Sequence, residues 1–191
     1  VSITEGLKTG YRRADADSAN YGDIGFAAVD LSFSNESSST YGSTGSASTS
    51  MGAFTVASND ASTAMGASTE ASGKVSTAMG NITTASGDFS TAMGKETLAS
   101  GEMSTAMGKN TKASGTASTA MGHSSTASDY GSVVLGQFNN GGWEVSVGGS
   151  ATLFNTKNTA LVIGNGTDDG SGKSDAFKVL FNGNTTAAGT V

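Results

Sequence analysis

The sequence predicts an all-β chain wound as a β-solenoid of 14-residue coils, and three observations carry that reading. The first is a strict period. STAMGASTEASGKV from Ser62 is followed by STAMGNITTASGDF from Ser76, STAMGKETLASGEM from Ser90, STAMGKNTKASGTA from Ser104 and STAMGHSSTASDYG from Ser118. A looser copy, STSMGAFTVASNDA, precedes them at Ser48, and SVVLG opens the next at Ser132. A fixed short period is the signature of a repeat architecture. The second observation is glycine at two places in each unit, Gly66, Gly80, Gly94 and Gly108 at one and Gly73, Gly87, Gly101 and Gly115 at the other. Asn59 and Asp129 replace the second glycine at the ends of the array. Gly, Asn and Asp tolerate positive φ, so both places are expected to be turns. The third is length: two turns in 14 residues leave room for two short strands. A helical unit would need longer apolar-periodic segments, and its two glycines would cost roughly 2 kcal/mol.

Alternation along a strand assigns the faces. Ser104 and Ala106 share one face, Thr105 and Met107 the other. A flat coil has room inside only for small groups. The interior is therefore expected to hold Ala64, Ala78, Ala92, Ala106 and Ala120 from the first strand, with Ala71, Ala85, Ala99 and Ala113 from the second. Thr55, Thr69, Thr83, Thr97 and Thr111 fall on the same inward face. Glu70, Thr84, Leu98, Lys112 and Thr126 point the opposite way, and so mixed a column reads as a solvated contact face.

The remaining column stacks Met51, Met65, Met79, Met93, Met107, Met121 and Leu135, beside Thr63, Thr77, Thr91, Thr105 and Thr119. At about 4.8 Å per coil it makes a continuous apolar stripe, which soluble monomers avoid. Burying each methionine contributes roughly 1.5–3 kcal/mol. The stripe is expected to be an oligomer seam. An interior of Ala, Thr and Ser is too thin to stabilise the coils alone, so the assembly is expected to be obligate.

Composition removes other classes. With no cysteine there is no disulfide framework, Cys-ligated zinc or thiol nucleophile, and the single His123 rules out a site needing two imidazoles. A formal charge of −6 argues against nucleic acid and anionic membrane surfaces as partners. No apolar run exceeds the order of Ala160–Ile163, far below the roughly 20 residues of a membrane span, so no membrane insertion by this segment is expected. Val1 in place of a start Met, with no leader pattern, reads as a segment of a longer chain.

The STAMG-x-x-T-x-A-S-G unit resembles the head repeat of trimeric autotransporter adhesins, the YadA-like or haemagglutinin-type head, whose usual form is S-V-A-I-G-x-x-S-x-A-x-G. Here Thr and Met stand where that family has Val and Ile. The resemblance implies a left-handed parallel β-roll and a homotrimer with the Val/Ile column facing the common axis. The number three comes from the resemblance alone. The flanks, TGYRRADADSANYGDIGFAAVDLSFS and ALVIGNGTDDGSGKSDAFKVLFNGNTTAAGTV, resemble segments that bracket such heads in bacterial surface proteins and phage-like tail fibres.

Three segments follow. Residues 1–47 lead in and cap, with Ala28–Ser32 as a strand and 35–46 as a Ser/Thr/Gly-rich loop. Residues 48–136 form the regular roll. Residues 137–191 cap irregularly, with one more coil at 159–164 and a strand from Ala176 to Leu180 leading out at Asn182-Gly183. Irregular ends are where a solenoid needs its caps.

Isolated motifs carry little chemistry. Gly170-Ser171-Gly172-Lys173-Ser174 resembles a phosphate loop, but Thr167 stands where its first glycine belongs and no helix pattern follows. Asp168, Asp169 and Asp175 lack EF-hand spacing. His123 shares its column with Ala, Asn and Lys and reads as a solvated turn residue; Trp143, Phe138 and Phe154 read as an end cap. No catalytic, metal or cofactor residues are expected, and the chain is not expected to be an enzyme. The expected function is a non-enzymatic trimeric head for multivalent adhesion, extracellular on a bacterial surface, with an unknown protein or glycan receptor. The alternative is the receptor-binding or spacer part of a phage or contractile-injection tail fibre. A third reading, ice binding, would require the Thr55–Thr111 ladder to face water.

Overall fold

A computed structural model describes residues 1–140, 146–168 and 170–188. The chain divides into two compact units, residues 1–95 and 96–191. The first opens with an antiparallel hairpin, β1 (Ser2–Glu5) and β2 (Lys8–Arg12), and β2 runs parallel to β3 (Val29–Phe33). After β4 (Gly42–Ser43) each coil contributes one long and one short strand: β5 (Thr49–Ala53) and β6 (Val56–Ala57), β7 (Thr63–Ala67) and β8 (Glu70–Ala71), β9 (Thr77–Asn81) and β10 (Thr84–Ala85), then β11 (Thr91–Lys95). Long strands β3, β5, β7, β9 and β11 stack in parallel, and from β5 onward each residue sits on its counterpart one repeat away. The short strands β4, β6, β8 and β10 stack likewise in a second sheet.

The second unit repeats the plan with β12 (Leu98–Ala99), β13 (Thr105–Lys109), β14 (Lys112–Ala113), β15 (Thr119–His123), β16 (Thr126–Ala127) and β17 (Val133–Gln137). It then adds β18 (Thr159–Asn165), β19 (Asp175–Leu180) and β20 (Thr185–Ala187). β18 lies parallel to β17 with Val162 beside Val134 and Ile163 beside Leu135. In both units the solenoid is parallel and its coil is the 14-residue repeat.

Stacking continues past residues 48 and 136, where the sequence repeat stops. Val29 stands opposite Thr49, and Val133 opposite Leu161, so register is kept across intervals longer than one repeat. The stretch 35–46 is accordingly not all loop, because Gly42–Ser43 supplies a short strand. At the other end β19 does not lead out. It turns back antiparallel on β18 and is followed by the antiparallel β20.

The interior is as narrow as the alternation requires. Ala57, Ala64, Ala71, Ala78, Ala85 and Ala92 in the first unit, and Ala99, Ala106, Ala113 and Ala120 in the second, are all completely buried. The inward threonines are also buried, and the hydroxyls of Thr69, Thr83, Thr97 and Thr111 find no partner. Thr55 does find one, 2.6 Å away on Ser50, because a serine replaces alanine in that coil.

The turns differ from the expectation in two respects. The first-place glycines Gly66, Gly80, Gly94 and Gly108 lie inside the long strands, one residue before their ends, and not at a turn. The left-handed residues are not the repeat glycines of the second place, nor Asn59 or Asp129. They lie two residues further on: Ala61, Val75 and Phe89 at one corner, Phe54, Ser68 and Ile82 at the other, with φ of 53–58°. Each is held by the preceding coil; the Ile82 amide donates to Ala67 O at 2.9 Å and the Phe89 amide to Lys74 O at 2.8 Å. Glycine serves a different need. A Cβ on Gly73, whose φ is ordinary, would stand 2.0 Å from Gly87 O of the next coil. Gly80 combines that crowding with a φ of +128° and would approach Gly94 O just as closely. The glycines thus permit coils to stack at strand spacing.

Left-handed φ costs an L-residue roughly 1–2 kcal/mol and most for a β-branched one. Ile82 is such a residue and is exposed, so it has little packing to lose. Ile82→Asn is expected to raise stability by about 0.5–1 kcal/mol. Denaturant unfolding would check this, and a loss of stability would show that Ile82 is buried in the assembled protein.

Candidate functional site

Three surfaces follow from the coil. The first is the outer face of the long-strand sheet. In the first unit Met51, Met65, Met79 and Met93 stand side by side in register, flanked by Thr63, Thr77 and Thr91. In the second, Met107, Met121 and Leu135 do the same beside Thr105 and Thr119. Within the single chain this face stays partly open; Met51 and Met93 are each more than one-third exposed. Register adds residues that the methionine period did not reveal. Leu31 continues the column before Met51, and Ile163 after Leu135, both over 40% exposed. Val29, Val133 and Leu161 extend the threonine column in the same way. Their signal was an apolar-x-apolar pair: Val29-x-Leu31 was hidden by an interval of 20 residues, whereas Leu161-x-Ile163, two repeats beyond Val133 and Leu135, lies in the further coil expected at 159–164.

The second surface is the outer face of the short-strand sheet. It carries Glu70 and Thr84 in the first unit and Leu98, Lys112 and Thr126 in the second, aligned by strand pairing. Glu70 is exposed and the others are half-buried. In the second unit this face is not flat. Residues 165–168 and 170–174 double back, with the Asn165 amide donating to Ser174 O at 3.1 Å and the Ser174 amide to Phe138 O at 3.0 Å. This brings Lys173 to the rim of a groove shared with Glu96, Leu98, Asn110, Lys112, Ser124 and Thr126. The phosphate-loop resemblance of residues 170–174 thus belongs to a side wall, and the Thr167 amide closes the loop on Gly172 O at 2.8 Å.

The third surface comprises the coil ends, which are closed by polar side chains. Asp30 sits in the interior column, opposite Ser50, where later coils have alanine. It is fully buried and pairs with Arg12 Nε at 3.1 Å, while Arg12 also meets Glu5 at 3.1 Å and Gly22 O at 2.7 Å. In the second unit Asn139 stands one repeat beyond Ser125 in the inward threonine column. Its amide accepts from Thr126 N at 2.7 Å and donates to Thr126 O at 3.1 Å, as the backbone of one more strand would. Asp129 accepts from Ser146 N at 2.7 Å and Thr159 N at 2.6 Å, tying the segment after the roll to its last turn.

Other singled-out residues separate. His123 is half-buried under the ring of Phe138, with centroids 4.8 Å apart, so it is not the freely solvated turn residue expected. Phe154 packs on Phe181. Trp143 and Asp169 lie outside the described residues. Asp168 accepts from the Gly170 and Gly172 amides, whereas Asp175 accepts from the Asn140 amide, so the two serve different turns. Among the described residues no group of three or more His, Cys, Asp or Glu could hold a metal ion, and no helix is long and apolar enough to cross a membrane. On the surface, a hydrogen bond from Arg13 holds the Asp15 carboxyl below its ordinary value.

Fold and repeat together define a parallel β-solenoid repeat protein with one apolar-striped sheet face and one polar sheet face. Residues 71–97, 99–122 and 113–139 match the YadA head domain repeat. Over those residues, about a third of the chain, the solenoid repeat is similar to the YadA head domain repeat. No curated protein matches the chain.

Proposed function

We propose that this chain is the trimeric head module of an extracellular adhesin, non-enzymatic, meeting another surface through its polar sheet face. The observation that supports this most is the in-register Met and Thr ladder on the long-strand sheet, an ordered apolar face left open in a single chain. Monomers avoid such faces, and closed symmetry covers the same patch on every copy. Placing that face at a threefold axis turns the short-strand face outward in triplicate. Three identical copies of a weak contact on one rigid body gain by effective concentration, so affinity at each copy need not be high. The inward, fully buried position of Thr55 to Thr111 deprives ice binding of its ladder.

Light scattering on a size-exclusion column tests the assembly. The expected mass is three times 18.8 kDa. Retention of the trimer, but not of a monomeric variant, on cell-coated surfaces tests adhesion. A monomer with intact β-structure would overturn the reading, as would a trimer that holds no cell surface.

A further inference from the structure

We infer that the groove beneath Lys173 is a binding site for one carboxylated sugar residue. The inference rests on the adhesive reading above and names the chemistry of its contact. The groove has a volume of about 380 Å³, inside the roughly 300–1,000 Å³ range of small-molecule sites. Its lining carries residues whose side chains meet sugar hydroxyls: Asn110, Thr126 and Glu96. Leu98 supplies an aliphatic surface for the apolar face of a ring.

Charge decides between a neutral and an acidic sugar. Two of the chain's ten basic residues, Lys112 and Lys173, line this one groove in a protein of net charge −6, against the single carboxylate of Glu96. Lys112 and Glu96 are already engaged by other groups, whereas Lys173 makes no ion pair among the described residues. Lys173 is thus the cation left to meet a ligand carboxylate. Its backbone is positioned in advance by the bonds that fold residues 165–168 and 170–174 back on Phe138 and by the Ser174 hydroxyl, which donates to Asn165 Oδ1 at 2.6 Å. A charge-assisted contact from a fixed loop loses less entropy on binding than one from a mobile arm. The same carboxylate chemistry occurs in terminal sialic acids and in uronic acids of repeating polysaccharides.

The test titrates the whole chain with the methyl glycosides of N-acetylneuraminic acid, glucuronic acid and galactose, and with inorganic sulfate, following amide shifts of Leu98, Asn110 and Lys173. At least one acidic sugar is expected to bind at least tenfold more tightly than galactose and than sulfate. Lys173→Gln is expected to weaken it at least tenfold, with mass and melting temperature unchanged. The tighter acid identifies the source. Equal binding of galactose, equal binding of sulfate, undiminished binding by Lys173→Gln, or no binding of either acid would each overturn the inference. Mass and cell retention of the unmodified protein are read on the same sample, so failure of the groove leaves the adhesive reading standing and failure of the trimer does not imitate it.

Discussion

A chain carrying Met79→Asp and Met107→Asp is expected to lose the species at three times 18.8 kDa, and part of its β-sheet signal with it, because the thin roll interior depends on the seam. Met79 lies between Met65 and Met93 in one ladder, and Met107 lies beside Met121 in the other, so each substitution breaks its stripe. Both side chains point away from the roll. The fully buried Ala78 and Ala106 next to them remain on the inward face. In a dry threefold seam each aspartate would lose roughly 1.5–3 kcal/mol of methionine burial and incur several kcal/mol of desolvation. Symmetry triples that penalty per assembly and adds like-charge repulsion. Thr84→Asp, on the polar face, is the control and should leave the trimer intact. If the double variant kept three times the monomer mass, the ladder would not be the seam, and the adhesive proposal would lose its support.

Asp30→Ala is expected to destabilise the first unit by about 3–5 kcal/mol, the largest effect of any single side chain at the coil ends. Asp30 is fully buried and Arg12 nearly so, and the guanidinium also lies 5.0 Å from the centre of the Tyr21 ring. Removing the carboxylate leaves the buried Arg12 charge to the half-buried Glu5 alone and takes the acceptor from the Ser32 amide and hydroxyl, now at 3.1 and 2.6 Å. Arg12→Met with Asp30→Ala should cost less than the two single changes summed, because neither member of the buried pair is left without the other. Thermal unfolding of the single and double variants would measure the coupling. Simple additivity would mean that the pair is not an energetic unit.

The repeat was legible because stacking imposes one residue choice at each place of every coil. Ala78 and Ala85 could be placed inward, and Met79 outward, from period and alternation alone. The ends were legible only in outline, because register there is kept by bonding rather than spacing. Val29 reaches its place opposite Thr49 despite an altered interval, and Asn139 acts as a strand backbone through its side chain. Lys173 could not be assigned to Leu98 and Lys112 at all, since it joins them only by the fold-back of residues 165–168 and 170–174.

The sequence by itself determined the coil length and the faces of its two strands, since these are local demands repeated at a fixed interval; that the repeated glycines serve the close approach of one coil to the next came from the structure. Tertiary structure alone decided that left-handed φ falls on Val75, Ile82 and Phe89 and not on the second-place glycines. There the hydrogen bonds to the preceding coil outweigh the intrinsic preference for glycine. It also decided which groups share the groove, because a contact made by folding a segment back has no period to announce it.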